Sequence, residues 1–517
     1  MFHESELGVG KGPEFSETPK DHCGIVGMYM FDGVENEANI FLGAALYALQ
    51  HRGQEGFGIY GENRYEQTIH ERREGLVNQP ETRELLAKLK SPKIVLGQTR
   101  YSTSGKLDAW QPVHANNLTL VHNGNITNAM ELLSSLPQDL QESAVSDTDI
   151  VFKAMLSSKQ DSDEDKIRDV LEKVEGAANF IISTHRKLIA SRDPWGFRPL
   201  ILGKLPSNAG VIVASEDNFF QNFGIEYIRE IEPGEAVMIN DEGIHPFFTD
   251  PRKERVTVAR CIFEHVYIGD PNSHIFERPV YAVRQEIGKA LARKDIAQGF
   301  LPDVVVPVQH SGIIYGEGYR TEMVKQLLED PSVFGLSQEE AANHIVELSG
   351  TTTPLIANIY AGRVFILPDE RYQKAHIKHM PIKEMIAGRN VVVIDDSIVR
   401  GDTSRTTVAI VRDAGATEVH LRSGSPQLRS PCFMGVDFAT NGELIAHRCH
   451  SNLEEIRNEI GCDSLRYTSV RDLVTASLNR YAQGLTNEEI FELGQFCGAC
   501  FTGTYPNGIN PLGVYSK

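Results

Sequence analysis

The run VVVIDDSIVRGDTS, residues 391–404, passes from four β-branched residues straight into two adjacent carboxylates, Asp395 and Asp396, and then into a short loop. Two acids at a strand end can receive the hydroxyls of a ribose, or hold Mg²⁺ directly or through water. Behind them Ser397, Thr403 and Ser404 supply hydroxyls, and the turn containing Arg400 and Gly401 supplies backbone N–H groups, a set that suits a 5′-phosphate. A bare pair of acids would read as a solvated turn. Apolar strand, paired acids and small-donor loop together point to a phosphorylated ribose. Different chemistry stands near the other end of the chain, where Cys23 opens the run CGIVG. A deprotonated thiol is the best side-chain nucleophile for an amide carbonyl. If Cys23 became residue one, its α-amine, with a pKa near 8, could take the thiol proton. That requires removal of a leader, residues 1–22.

The other cysteines are Cys261, Cys432, Cys449, Cys462, Cys497 and Cys500. An odd total of seven in a long chain argues against a disulfide framework and leaves metal binding, nucleophilic catalysis or burial. The pair in CGAC, Cys497 and Cys500, taken alone fits half a zinc site, a redox pair or chance.

These residues must be positioned by more than one core, because 517 residues exceed what a single core usually supports. Up to about Asp250 the chain reads as short strands and Gly-rich turns with interspersed helices, such as GIVGMYM, LTLVHNGNI and DTDIVFKAMLSS, which predicts a layered α+β domain. DPRKER, from Asp250, reads as a polar boundary. Beyond it VYAVRQEIGKALARK, DVVVPVQ, NVVVIDDS, TTVAIVRDAG and EVHLRSGS alternate helix with strand, the rhythm of a parallel sheet covered on both faces. The acidic, helix-prone stretch 322–349 has no assigned chemistry. A hydrophobic fraction of 41% is ordinary for a globular protein, and a net charge of −19 argues against a general nucleic-acid binder. No run approaches the roughly 20 apolar residues that span a bilayer, and residues 1–22 lack the apolar centre of a signal peptide. The expected compartment is the cytoplasm, with no membrane and no nucleic-acid partner.

The loop at 391–404 resembles the donor-binding loop of type I phosphoribosyltransferases, which displace pyrophosphate from phosphoribosyl pyrophosphate with a nitrogen nucleophile. CGIVG, QHRGQEGFGI, GQTRYSTSG, HNGN and SDTD together resemble the class II glutamine amidotransferases, which are N-terminal nucleophile hydrolases. In combination the chain is similar to the glutamine phosphoribosylpyrophosphate amidotransferase family, in its iron–sulfur, leader-bearing subclass. The resemblance implies a four-layer αββα hydrolase domain over 23–250, an α/β phosphoribosyltransferase domain over 251–475 and a C-terminal helical segment over 476–517. It implies glutamine-dependent formation of phosphoribosylamine, the first committed step of purine synthesis, with ammonia passing from Cys23 to the transferase site. It assigns Asn123 and Gly124 to the oxyanion hole, Arg100 to the glutamine carboxylate and Asp147 to its α-amino group. In the transferase half it adds Ser311 and Gly312 at the pyrophosphate loop, and Arg363 and Lys378 on the closing loop. Mg²⁺ is expected at Asp395, Asp396 and Ser311, and a [4Fe–4S] cluster at Cys261, Cys432, Cys497 and Cys500. A homotetramer inhibited by purine nucleotides is also implied. Arg52 and Gln54 are expected to be mainly structural, and Cys449 and Cys462 to be buried.

The sequence departs from the family pattern mostly in the transferase half: His310 in place of an acid, Ile359 in place of an arginine, GDPNS from Gly269 in place of an arginine-bearing turn, and the extra stretch 322–349. Gln98 replaces a histidine of the hydrolase half. Two other readings follow from these departures: a glutaminase coupled to a different phosphoribosyl acceptor, and a nucleotide-binding regulatory paralogue without turnover.

Overall fold

A computed structural model of the chain describes residues 23–32, 37–100, 110–350, 354–357, 379–436, 440–478, 486, 489, 491–492, 495–507 and 509. The expected leader, Ile359, Arg363 and Lys378 lie outside the described residues. The chain forms two compact units, one of residues 1–258, 433–437 and 506–517, the other of 259–432 and 438–505.

In the first unit a seven-stranded sheet runs Glu226–Glu230, Ile201–Lys204, Gly210–Ala214, Gly24–Met30, Pro92–Arg100, Gly56–Asn63, Thr68–Glu74 from edge to edge. A six-stranded sheet runs Gly243–Thr249, Glu235–Asn240, Lys187–Ser191, Gly176–Thr184, Leu118–Ile126, Val113–Ala115. All neighbours in both sheets are antiparallel. Ile25, Tyr29 and Leu96 from one sheet pack with Val121, Ile181 and Leu188 from the other. The alternate residues Val26, Met28 and Met30 meet Phe41, Leu42 and Leu46 of helix Ala38–Ala48. A strand side-chain period of two therefore gives Gly24–Met30 two buried faces. On the far side Ile150, Val151 and Phe152 of helix Asp147–Ser157 pack against Leu120, Phe180 and Ile182. Helix, sheet, sheet and helix are the four layers expected. Truncating a core residue such as Ile25 to alanine would cost about 2–5 kcal/mol.

In the second unit a parallel sheet has strands Val304–Pro307, Asn390–Asp395, Glu418–Ser423 and Ser464–Tyr467 in chain order. Val391 and Val393 bury against Val408 and Val411 of helix Asp402–Asp413 and Ile456 of helix Leu453–Ile460. Helices Val280–Ile296 and Ile313–Glu329 also belong to this unit. A buried ion cluster joins helix to strands here. The Asp295 carboxylate accepts from Arg422 Nε at 2.7 Å and from Tyr319 Oη at 2.6 Å, and Arg466 Nε lies 2.7 Å away. Removing Asp295 would leave two cations uncompensated, at a cost of about 3–5 kcal/mol. The acidic stretch after Arg320 completes helix Ile313–Glu329 and then forms Gln338–Gly350.

Two boundaries differ from expectation. The first falls after Val258 rather than after Asp250. DPRKER is not a free linker, because Arg252 pairs with Asp250 at 2.6 Å and donates to Leu171 O at 3.1 Å. The C-terminal stretch 476–517 is not a separate segment. Helix Val470–Leu478 crosses its expected start, Phe496–Cys497 pairs in parallel with Arg260–Cys261, and the described residues 506, 507 and 509 belong to the first unit.

Candidate active site

Cys23 is buried and immediately precedes strand Gly24–Met30. Gly24 is register partner of Thr99, so Arg100 stands one step beyond that pair, on the Cys23 side. The backbone N–H of Ile25 donates to Ser215 Oγ at 3.0 Å, and Asn123 Nδ2 reaches the same oxygen at 3.4 Å. Ser215 therefore ties the strand leaving Cys23 to the side chain expected in the oxyanion hole. Gly124 has φ of 145°, and a Cβ there would lie 1.9 Å from Ala177 O, so only glycine fits. Arg100 Cζ lies 5.8 Å from the Trp110 ring, and its carbonyl accepts from Glu55 N–H at 3.0 Å.

Asp147 begins its helix with Ser146 as cap, whose Oγ accepts from Asp149 N–H at 3.1 Å. Its carboxylate accepts from Ile126 N–H at 3.2 Å and stands 3.9 Å from His122 Nδ1. His122 lies in the strand of Asn123; its Nε2 is 3.2 Å from Ala177 O and its Nδ1 is 3.0 Å from Thr148 Oγ1. Burial pulls the His122 pKa down, against the upward pull of Asp147, so the imidazole is held neutral. Gln111 completes the network, accepting from His122 N–H and donating to Thr148 Oγ1 at 3.1 Å. Gln98 Nε2 donates to His122 O at 3.4 Å. Gln98 Oε1 and Asn123 Oδ1 are buried without a hydrogen-bond partner among the described residues. Such acceptors cost about 1–3 kcal/mol each, and these two come from strands of the two different sheets, where further donors would satisfy them.

Arg52 is buried and donates to Glu216 Oε1, with His51 Nε2 2.8 Å from the same oxygen. That pairing gives Arg52 a structural part. Ser215, Glu216, His122, Thr148 and Gln111 were not singled out by sequence. Ser215 and Glu216 follow strand Gly210–Ala214, and their partners lie more than 90 residues away. No local pattern could have flagged them.

In the second unit Asp395 and Asp396 sit at the carboxyl end of strand Asn390–Asp395, 6% and 5% exposed. Asp396 N–H donates to Asp395 Oδ1 at 3.0 Å, and Ser397 Oγ to Asp396 Oδ2 at 2.6 Å. Burial raises the Tyr315 phenol pKa, with the charges of nearby Asp396 and Asp395 adding to the rise, and its Oη donates to Val266 O at 2.8 Å. Gly401 caps the following helix at φ of 87°, and a Cβ would meet Ile445 Cδ1 at 2.5 Å. Ser404 is buried in the first turn and Thr403 is exposed there. Arg400 Nη2 donates to Glu443 Oε1 at 2.5 Å. Ser311 and Gly312 lie in the turn before helix Ile313–Glu329. Val308 N–H donates to Ile394 O at 2.8 Å and Gly312 N–H to Val308 O at 2.7 Å, which brings this turn beside the strand carrying the acids.

None of the seven cysteines is in a disulfide. Cys261 and Cys497 are register partners, and Arg429 N–H donates to Cys500 O at 2.8 Å. Burial pushes the Cys500 thiol pKa well up, and the nearby Cys432, Cys497 and Cys261 add to the rise. Among the described residues no three His, Cys, Asp or Glu side chains form the tight group that one metal ion needs. Cys449 and Cys462 are buried in the core under the parallel sheet, and Cys449 Sγ lies 3.2 Å from Glu459 Oε2. No helix among the described residues is long and apolar enough to cross a membrane.

Residues 98–222 match the model of the glutamine amidotransferase domain. The chain is 38% identical over 499 residues to the amidophosphoribosyltransferase of Methanothermobacter thermautotrophicus, covering 94% of this chain and 95% of that one. It is 35% identical over 508 residues to amidophosphoribosyltransferase 2, chloroplastic, of Arabidopsis thaliana, covering 95% and 81%. The solved glutamine phosphoribosylpyrophosphate amidotransferase of Bacillus subtilis, complexed with ADP and GMP, superposes with a TM-score of 0.77 at 34% identity, covering 94% and 98%. With relatives this similar along nearly the whole of its length, the chain belongs to the amidophosphoribosyltransferase family.

Proposed function

We propose that Cys23, as residue one of the mature chain, attacks the amide of glutamine, and that the ammonia released displaces pyrophosphate from phosphoribosyl pyrophosphate at the second unit. The products are phosphoribosylamine, glutamate and pyrophosphate, with one water consumed at the thioester. The observation that carries this reading is the sharing of Ser215 Oγ between Ile25 N–H and Asn123 Nδ2, which holds nucleophile and oxyanion donor on one support. Arg100 grips the substrate carboxylate as a planar fork, and Asp147 pairs with its α-amino group. The α-amine of Cys23 takes the thiol proton and returns it to the departing nitrogen. Ammonia moves within the protein to the anomeric carbon, shielded from protonation in bulk water.

At the second unit Ser404 and Thr403, with the amides of the Gly401 turn, cradle the 5′-phosphate at the helix N-terminus. Asp395 and Asp396 take the ribose hydroxyls. Their two buried carboxylates, with the Ser311 hydroxyl, also fit Mg²⁺, which would neutralise charge on the departing pyrophosphate. Arg363 and Lys378 close over the pyrophosphate. Purine nucleotides bind the same cradle through their phosphate; that the Bacillus subtilis relative was solved complexed with ADP and GMP supports nucleotide binding. The active form is a tetramer in the cytoplasm.

Cys261, Cys432, Cys497 and Cys500 fit a [4Fe–4S] cluster, which would cross-link the segments they come from. Four thiolates suit such a cluster, and zinc would also be satisfied by four thiolates, so the metal content decides between them. Anaerobically purified protein should hold about four irons and four sulfides per chain; stoichiometric zinc without sulfide contradicts the assignment. Pyrophosphate release from phosphoribosyl pyrophosphate, with glutamine and then with ammonia as nitrogen source, tests the reaction. Release with both supports it, and release with neither rejects it. Intact mass tests the first step, since an active protein still carrying Met1 cannot use the Cys23 α-amine.

A further inference from the structure

We propose that Asn125 is a positioning residue that ties the strand carrying Asn123 and Gly124 to the peptide bearing Cys432, so that the cysteine cluster and the glutamine site steady one another. This rests on the cluster reading above. Asn125 follows Gly124 on strand Leu118–Ile126, and its Nδ2 donates to Phe433 O at 2.8 Å. A second donor acts beside it, Arg198 Nη2 to Met434 O at 2.9 Å. The carbonyls of Arg198 and Pro199 are themselves held by Asn179 Nδ2 at 3.2 and 2.9 Å, and Asn179 is the register partner of Asn123. One grip on residues 433–434 therefore comes from the strand that presents the oxyanion donors, and the other from a connection whose backbone is held by that strand's partner.

The other end of the same peptide is fixed among the cysteines. Arg429 N–H and Ser430 N–H donate to Cys500 O at 2.8 and 3.2 Å, and Tyr505 Oη donates to Pro431 O at 2.8 Å. Residues 429–434 thus form a strap of six residues with Cys432 in its middle. Cys432 and Phe433 share a peptide bond, so a shift of the thiol by an ångström or so either breaks the Asn125 bond or pulls on the strand. Asn125 touches no substrate in this account. It acts through the position of Gly124.

Coupling of two sites is reciprocal: whatever the cluster does for the glutamine site, an occupied glutamine site does for the cluster. The test uses full-length protein prepared without oxygen, with iron and sulfide measured at the start. Decay of the visible cluster band in air is followed with Cys23 unmodified and with Cys23 alkylated by a glutamine-derived chloroketone. In the parent, occupancy should slow decay about fivefold or more. In Asn125→Ala, with the same starting iron, the ratio should fall to about one. Asn125→Asp keeps the size and loses the donor, and serves as the second variant if the alanine form does not fold. Equal protection in parent and variants, or none in the parent, overturns the link while leaving the cluster reading intact. A parent without iron and sulfide overturns both.

Discussion

In the first unit the residues assigned to chemistry lie in or directly against strands, walled in by two layers; in the second they lie on turns that leave strands. Asn123, 1% exposed, and Gly124 belong to a strand paired along its length with Gly176–Thr184. Thr403 is exposed in the first turn of a helix, and Ser311 sits in another turn. The polar groups of the candidate hydrolysing site are held by Ser215, Thr148 and Gln111. The candidate phosphoribosyl site has two buried acids, Asp395 and Asp396, fixed by local hydrogen bonds, and further groups supplied by turns. A site of the first kind tolerates little change in shape. A site of the second kind loses contacts one at a time.

The sharpest way to break that contrast is Gly124→Ala. A Cβ 1.9 Å from Ala177 O forces the strand pair apart, so glutamine-dependent activity should fall by at least about 10²–10³, the loss of an oxyanion donor. Ammonia-dependent pyrophosphate release should stay near the parent value. A Gly124→Ala protein with ordinary glutamine kinetics would show that this strand is not the rigid part. Asp396→Asn comes next. It keeps size and removes one of two buried charges, and transfer should slow about a hundredfold, the upper scale of a bond to a charged group, while glutamine hydrolysis persists. Steady-state pyrophosphate release against Mg²⁺ concentration reads this out, with the variant needing more metal.

Thr403→Val removes one exposed hydroxyl without changing shape. Donor affinity should fall by roughly 1–2 kcal/mol, and a purine nucleoside monophosphate should weaken in parallel. Calorimetric titration with both ligands decides it; unchanged donor affinity would move the phosphate site off this loop. The most gradual effect concerns pH. His265 is buried, with Nε2 2.9 Å from Ile275 O and Nδ1 3.1 Å from Ser477 Oγ, and burial pulls its pKa down to about 4. In the unfolded chain it titrates near 6.5, so the unfolded state binds more protons between pH 6.5 and 4. Stability then falls as pH falls through that window, by at most about 1.4 kcal/mol per unit. Protection factors in helix Val280–Ile296, which take out the intrinsic slowing of amide exchange with falling pH, should drop from pH 7 to pH 5, and His265→Gln should flatten the trend.

Much of this was legible in the sequence for definite reasons. VVVI buried on both faces of a parallel sheet reads as a strand, and Gly401 before a Thr- and Ser-rich first turn reads as a helix start. Asp250 to Arg255 misled because its charges look solvated, while Arg252 is in fact spent on Asp250 and on Leu171 O. Ser215, Glu216 and Asn125 were illegible because each owes its place to register between distant segments: Ser215 lies 190 residues from Ile25, and Phe433 lies 308 from Asn125. Local pattern carries no such information. The convergence of Cys261, Cys432 and CGAC came from resemblance and could not be derived from spacing alone.

The central claim is that one chain carries two chemically separate sites, with the nitrogen made at the first and used at the second. Cys23→Ser tests it most directly, with pyrophosphate release measured in parallel from glutamine and from ammonia. The account predicts that glutamine-dependent release falls by at least about 10³ while ammonia-dependent release stays within about twofold. Loss of both activities in a folded, iron-containing Cys23→Ser protein, or survival of the glutamine-dependent one, would contradict it.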